Sequence, residues 1–136
     1  MSHPVALTGI HHITLTVSNV AASADFYIRH FGFRSLLDLG ARHILSNGAV
    51  VLSVTLPSDK AAPVPANDRF SENRVGLDHV SFSVAGLADL EAAAAYLDEQ
   101  GVSRGEIRDL GGLGIYVMAV RDPDNIQLEL TAPRAA

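Results

Sequence analysis

GIHHITLTV, residues Gly9–Val17, returns later in the chain as GLDHVSFSV, residues Gly76–Val84, and superposing Gly9 on Gly76, His12 on His79 and Val17 on Val84 gives the same offset of 67. Both segments alternate apolar and polar side chains with the period of two that a strand requires. Each runs into a helix-like stretch, Val20–Phe31 and Leu87–Gln100, and each stretch is followed by a glycine, Gly32 or Gly101, suited to the left-handed position that ends a helix. Three more strand-like runs follow in each copy: Arg34–Leu39, Arg42–Ser46 and Ala49–Leu56 in the first, Glu106–Leu110, Gly114–Arg121 and Ile126–Thr131 in the second. The expected fold is therefore α+β: two βαβββ modules, over residues 7–57 and 76–132, joined by a loop over 58–75. Around that loop, Pro57, Pro63, Pro65, Asn67 and Asp68 interrupt any apolar period, and the segment is also able to close over a ligand.

Parity assigns the faces of the strands. Ile13, Leu15 and Val17 share one side of the first strand, while His12, Thr14 and Thr16 share the other. In the second copy Val80, Phe82 and Val84 oppose His79, Ser81 and Ser83. The last strand of each module repeats the pattern, with Leu52, Val54 and Leu56 against Ser53 and Thr55, and Ile126, Leu128 and Leu130 against Gln127, Glu129 and Thr131. The apolar sides must pack under the helices. Related by a pseudo-twofold axis, the polar sides would curl into one open, cupped mixed barrel.

Composition narrows the chemistry. A chain of 136 residues is the size of a single domain, and 48% apolar against 18% charged residues is a globular rather than a disordered composition. A net charge of −5 without a basic cluster argues against nucleic acid as a partner. The absence of cysteine excludes disulfides, thiolate metal sites and a cysteine nucleophile, leaving His, Asp and Glu for any metal. The first residues lack the pattern of a signal peptide, and no apolar run is long enough to span a bilayer, so a soluble, cytoplasmic protein with no membrane partner is expected.

His12, His79 and Glu129 all fall on the polar faces, and two imidazoles with one carboxylate form a facial ligand set for a divalent metal. Widely spaced His and Glu are common, so spacing says little; the weight comes from two histidines at equivalent places of a repeat. His11 shares parity with Ile13 and Leu15 and reads as a packed residue, with substitution for His12 as the alternative. His30, in the last turn of a helix, reads as a cation on the helix dipole, and His3 as part of a frayed terminus. His43 lies on a strand whose face the sequence leaves open.

These motifs, namely HHITLTVSNVAASADFY ending at Tyr27, the FGF at Phe31–Phe33, LDHVSFSV, and DPDNIQLEL over Asp122–Leu130, make the chain resemble the vicinal oxygen chelate superfamily of glyoxalase I, bleomycin-resistance proteins, fosfomycin-resistance thiol transferases and extradiol dioxygenases. The resemblance runs from Gly9 to Thr131 and implies paired βαβββ modules around one divalent metal per chain (iron, manganese, zinc or nickel) with His12, His79 and Glu129 as ligands. It also implies a homodimer with shared sites, His12 of one subunit meeting His79 and Glu129 of the other. Aligning VLSVTLP on QLELTAP puts the fourth ligand of glyoxalase I at Ser53, a poor donor, and so disfavours that enzyme. The tyrosine that three-ligand relatives carry before DPD is Ala119 here, and the transferases' potassium loop is replaced by GGLG at Gly111–Gly114, while Thr14 matches their threonine.

The activity expected is that of a metal-dependent oxygenase, or of a lyase or isomerase, acting on a small organic substrate with two adjacent oxygens; the alternative is a sequestering protein of the bleomycin-resistance type. Thr14, Tyr116 and Gln127 are the candidate catalytic groups. Thr14, Ser53, Ser81, Val117, Ala119 and Arg121 are the candidate substrate contacts, with Arg121 suited to a carboxylate at the rim. In DPDN, Asn125 stands where the family usually has glycine and is suited to a left-handed turn.

Overall fold

The computed structural model describes residues 5–62 and 64–135. His3 and Pro63 lie outside the described residues. The chain divides into two compact units, residues 1–64 and 65–136.

The first unit runs β1 (Ile13–Thr16), α1 (Val20–Phe31), β2 (Arg34–Asp38), β3 (Arg42–Ser46) and β4 (Val51–Thr55). The second runs β5 (Val80–Ser83), α2 (Leu87–Glu99), β6 (Arg108–Leu110), a 3-10 turn (Gly111–Leu113), β7 (Ile115–Arg121) and β8 (Gln127–Pro133). Both units are βαβββ, as the repeat predicts, with open four-stranded sheets ordered β1-β4-β3-β2 and β5-β8-β7-β6. In each sheet the first and last strands pair parallel and the other pairs are antiparallel.

Local chemistry sets the boundaries. The Asn19 side chain caps α1 by accepting the Ala22 N–H at 2.9 Å, and Gly32 ends it at φ 70°. Gly101 takes φ 69° just beyond α2, whose alanine-rich sequence favours helix without a side-chain cap at Gly86. Gly9 and Gly76, equivalent in the repeat, adopt φ 150° and 145°, a backbone that side chains rarely permit. The sequence match between the two segments thus extends to their backbone geometry.

α1 packs on β3 and β4, and α2 on β8. Leu15, Val17, Tyr27, Phe33, Leu45, Leu52 and Val54 are buried in the first unit; Leu90, Leu97, Met118, Val120, Leu128 and Leu130 are buried in the second. Each such side chain contributes about 1.5–3 kcal/mol by leaving water.

Three expectations change. His11 is exposed rather than packed, because β1 begins only at Ile13 and parity has no hold on a residue outside the sheet. His30 is not the cation expected: burial, and then the neighbouring Arg29, lower its pKa, while its ring meets Phe26 edge to face at 5.0 Å. Ser53 and Thr55, expected on an open polar face, are buried at 4% and 9% exposure. The undecided face of His43 is resolved by register. It pairs with Val54 as Leu45 pairs with Leu52, on the helix side, and its Nε2 lies 2.7 Å from the Ser35 hydroxyl.

The linker's second half is clasped to the second unit. Phe70 N–H donates to the Asp124 carbonyl at 2.9 Å, the Asn125 side chain donates to the Phe70 carbonyl at 3.0 Å, and Arg121 grips Glu72 through both terminal nitrogens at 2.8 and 3.0 Å. Asn125 takes the left-handed conformation, φ 66°, that its place in DPDN suggests. Hydrogen bonding to Arg121 holds Glu72 at about 2, below its ordinary 4.5. A depressed carboxylate pKa stabilises the fold above the ordinary value and loses that effect as pH falls toward the folded one. Glu72→Gln should therefore lower Tm by a constant amount at neutral pH, with the gap from wild type closing between about 4.5 and about 2. A gap that stays constant across that range refutes the clasp.

Candidate metal centre

His79 and Glu129 come together because β5 and β8 run parallel in a register that sets Ser81 beside Glu129. His79 directly precedes β5, two residues before Ser81. The His79 Nε2 to Glu129 Oε1 distance is 3.7 Å. Two ligands bound to one cation at about 2.1 Å each can be at most about 4.2 Å apart, so this donor pair fits a shared ion.

Both groups are held from behind. His79 Nδ1 lies 2.8 Å from the Asp78 carboxylate, which also accepts the Gln127 amide at 2.9 Å; Gln127 donates to the Asp78 carbonyl as well, at 3.2 Å. The Gln127 oxygen accepts from Arg121 at 3.4 Å. On the other side, Thr131 donates to Glu129 at 3.2 Å, and Ser81 is hydrogen-bonded to Thr131. One polar chain thus runs from Glu72 through Arg121, Gln127, Asp78 and His79 to Glu129, Thr131 and Ser81.

The first unit supplies the equivalent histidine in a different setting. His12 directly precedes β1 as His79 precedes β5, and its Nδ1 lies 2.9 Å from His11 Nδ1. His11 is the repeat counterpart of Asp78, so in both copies the preceding residue engages Nδ1 and leaves Nε2 free of that contact. Thr14 lies beside Ser53 in the β1–β4 register, just as Ser81 lies beside Glu129. This register reproduces the alignment that matched Ser53 to the carboxylate position. The Ser53 Oγ is buried and has no hydrogen-bond partner among the described residues. Within neither unit do three or more described His, Asp or Glu side chains gather into a set able to hold a metal ion.

The other candidates separate by face. Val117 pairs with Thr131, Ala119 with Glu129 and Arg121 with Gln127, so these three share the face of Glu129. Tyr116 pairs with Asp109 and Ala132, which turns it to the opposite face, where Arg134 binds its hydroxyl. Arg121, expected to hold a ligand carboxylate, here holds that of Glu72. Sequence reasoning passed over Asp78 and Glu72. The signal for Asp78 was available, since the residue beside a repeated histidine is well placed to orient it; Glu72, in an aperiodic linker, had none.

Comparisons with known proteins show the family. Residues 9–130 match the Glyoxalase/Bleomycin resistance protein/Dioxygenase superfamily, and the chain belongs to that family. It is 28% identical to the uncharacterized protein YaeR of Escherichia coli K12, over 93% of this chain and 97% of YaeR. It is similar in structure to a glyoxylase/bleomycin resistance protein/dioxygenase domain from Frankia, with a TM-score of 0.78 and 27% identity over 95% of this chain and all of that one. A glyoxalase family protein from Enterococcus faecalis gives 0.73 and 29%, over 91% of this chain and 97% of its own. Among the described residues no helix is long and apolar enough to cross a membrane.

A buried hydroxyl without a partner costs about 1–3 kcal/mol. Ser53→Ala should therefore leave stability unchanged or raise it by about 1 kcal/mol in urea unfolding. A loss of that size would mean that the hydroxyl is satisfied in the folded chain.

Proposed function

We propose that the protein is a metal-dependent enzyme of the vicinal-oxygen-chelate kind, in which His12, His79 and Glu129 hold one divalent cation. The observation that carries this reading is the matched setting of the two repeated histidines, each engaged at Nδ1 by the preceding residue, with Nε2 of His79 beside Glu129. The ligand set suits iron, manganese, zinc or nickel. When bound, the metal would act as a Lewis acid toward a substrate presenting two neighbouring oxygens.

The chain's own groups define the rest. Thr131 donates to Glu129 and orients it, and Ser81 in turn holds Thr131. Thr14 offers a hydroxyl at the corresponding position of the first unit, beside the buried Ser53. Ala119 gives the Glu129 face an apolar patch suited to a small aromatic or branched substrate, whereas Val117, on the same face, is buried and reaches no substrate. Arg121 reaches a substrate carboxylate only by exchanging it for that of Glu72. With Tyr116 on the opposite face, proton transfer falls to the substrate or to solvent rather than to that phenol.

A cytoplasmic homodimer is proposed with this activity, His12 of one subunit completing the pair on the other. Its physical motive is the open edge of each four-stranded sheet, which a second copy can cover. A strictly monomeric protein that binds one metal per chain would refute the shared site.

Protein purified without chelator should contain one metal per chain, and His79→Ala should lose it while keeping the wild-type circular dichroism spectrum. Catechols and α-hydroxyketones should raise Tm or perturb the metal's spectrum, and fosfomycin should not. Full metal content in His79→Ala refutes the ligand assignment. Tight ligand binding by metal-free wild type would instead favour sequestration of the bleomycin-resistance type.

A further inference from the structure

We propose that Asp78 is a positioning residue, fixing the His79 ring so that Nε2 is the lone-pair nitrogen; this rests on the reading of His79 as a metal ligand. An ionised carboxylate can only accept, so the 2.8 Å contact between Asp78 Oδ1 and His79 Nδ1 requires the ring proton on Nδ1. In the neutral ring the lone pair then belongs to Nε2, the nitrogen that lies 3.7 Å from Glu129. A rotating aspartate would orient nothing, but Asp78 is itself pinned: the Gln127 amide donates to both its carboxylate and its carbonyl. Gln127 is two residues before Glu129 on the same strand face, so β8 both carries the carboxylate and, through Asp78, sets the imidazole. Arg121, anchored by Glu72, holds the Gln127 oxygen and so determines which end of the amide faces Asp78.

The first copy shows the contrast. Val51 stands at the Gln127 position and His11 at that of Asp78, so no amide clamps the group behind His12. A contact between two Nδ1 atoms allows either ring to be the donor. His12 presents an unprotonated Nε2 only when His11 is the acceptor. Of the two repeated imidazoles, His79 is therefore the one whose tautomer is set before a metal arrives.

The test uses the full-length protein and its Asp78→Ala and Asp78→Asn variants, with zinc as the probe. Asp78 is exposed and its contact with His79 is a surface one, so both variants should fold. Ring nitrogen NMR on metal-free protein, above the pH range in which imidazole titrates, should show His79 protonated at Nδ1 in wild type. In Asp78→Ala it should shift toward the Nε2-protonated form. Zinc affinity should fall by about 10–100-fold in Asp78→Ala and be largely restored in Asp78→Asn, which keeps an acceptor oxygen. An Nε2-protonated His79 in wild type, or an Asp78→Ala protein with unchanged tautomer or unchanged affinity, overturns the proposal. Wild type that binds no zinc removes the metal reading, and the tautomer measurement alone then decides whether Asp78 orients the ring.

Discussion

The parallel pairing of the first and last strands within each unit is the constraint on which the rest depends. A hairpin cannot join parallel strands, so a crossover is needed, and here the chain leaves the first strand through a helix and returns through two antiparallel strands before the fourth lies beside it. The pairing leaves the helix over one face, where Leu52, Val54, Leu128 and Leu130 are buried. On the other face it brings a residue just ahead of the first strand beside one in the last. His79 and Glu129 are fifty residues apart in sequence and 3.7 Å apart in space for this reason.

The polar chain in the second unit follows from that arrangement. A carboxylate and an imidazole close together in a partly exposed site need groups behind them to define their geometry, and Thr131 and Asp78 serve this purpose. Gln127 and Arg121 extend the ordering to the linker through Glu72. The linker is thereby joined to the same network as the candidate ligands. The low pKa of Glu72 has its main cause in the Arg121 hydrogen bond, so this contact persists well into acid conditions.

The two copies have kept three features and diverged in others. Both retain a histidine before the first strand, a glycine with positive φ three residues earlier, and a parallel strand pair. The first copy has Ser53 for Glu129, His11 for Asp78 and Val51 for Gln127. Ser53, whose hydroxyl has no partner among the described residues, stands where the second copy carries a carboxylate.

By itself the sequence determined the duplication, the βαβββ order, the helix limits and the face on which most strand residues lie. Alternation, glycine conformation and capping are local properties, written within a few residues of where they act. The family resemblance marked Val117, Ala119 and Arg121 as substrate contacts, and the β7–β8 register puts them on the face of Glu129. Parity misled where a residue lies outside the sheet, as His11 does, or where burial depends on neighbours beyond the strand, as for Ser53. Only tertiary structure decided that Arg121 is bound to Glu72, that Tyr116 is held by Arg134 on the far face, and that Asp78 is clamped by Gln127. Each joins side chains from separate segments, so strand register and linker path decide it, and neither is encoded in a local pattern.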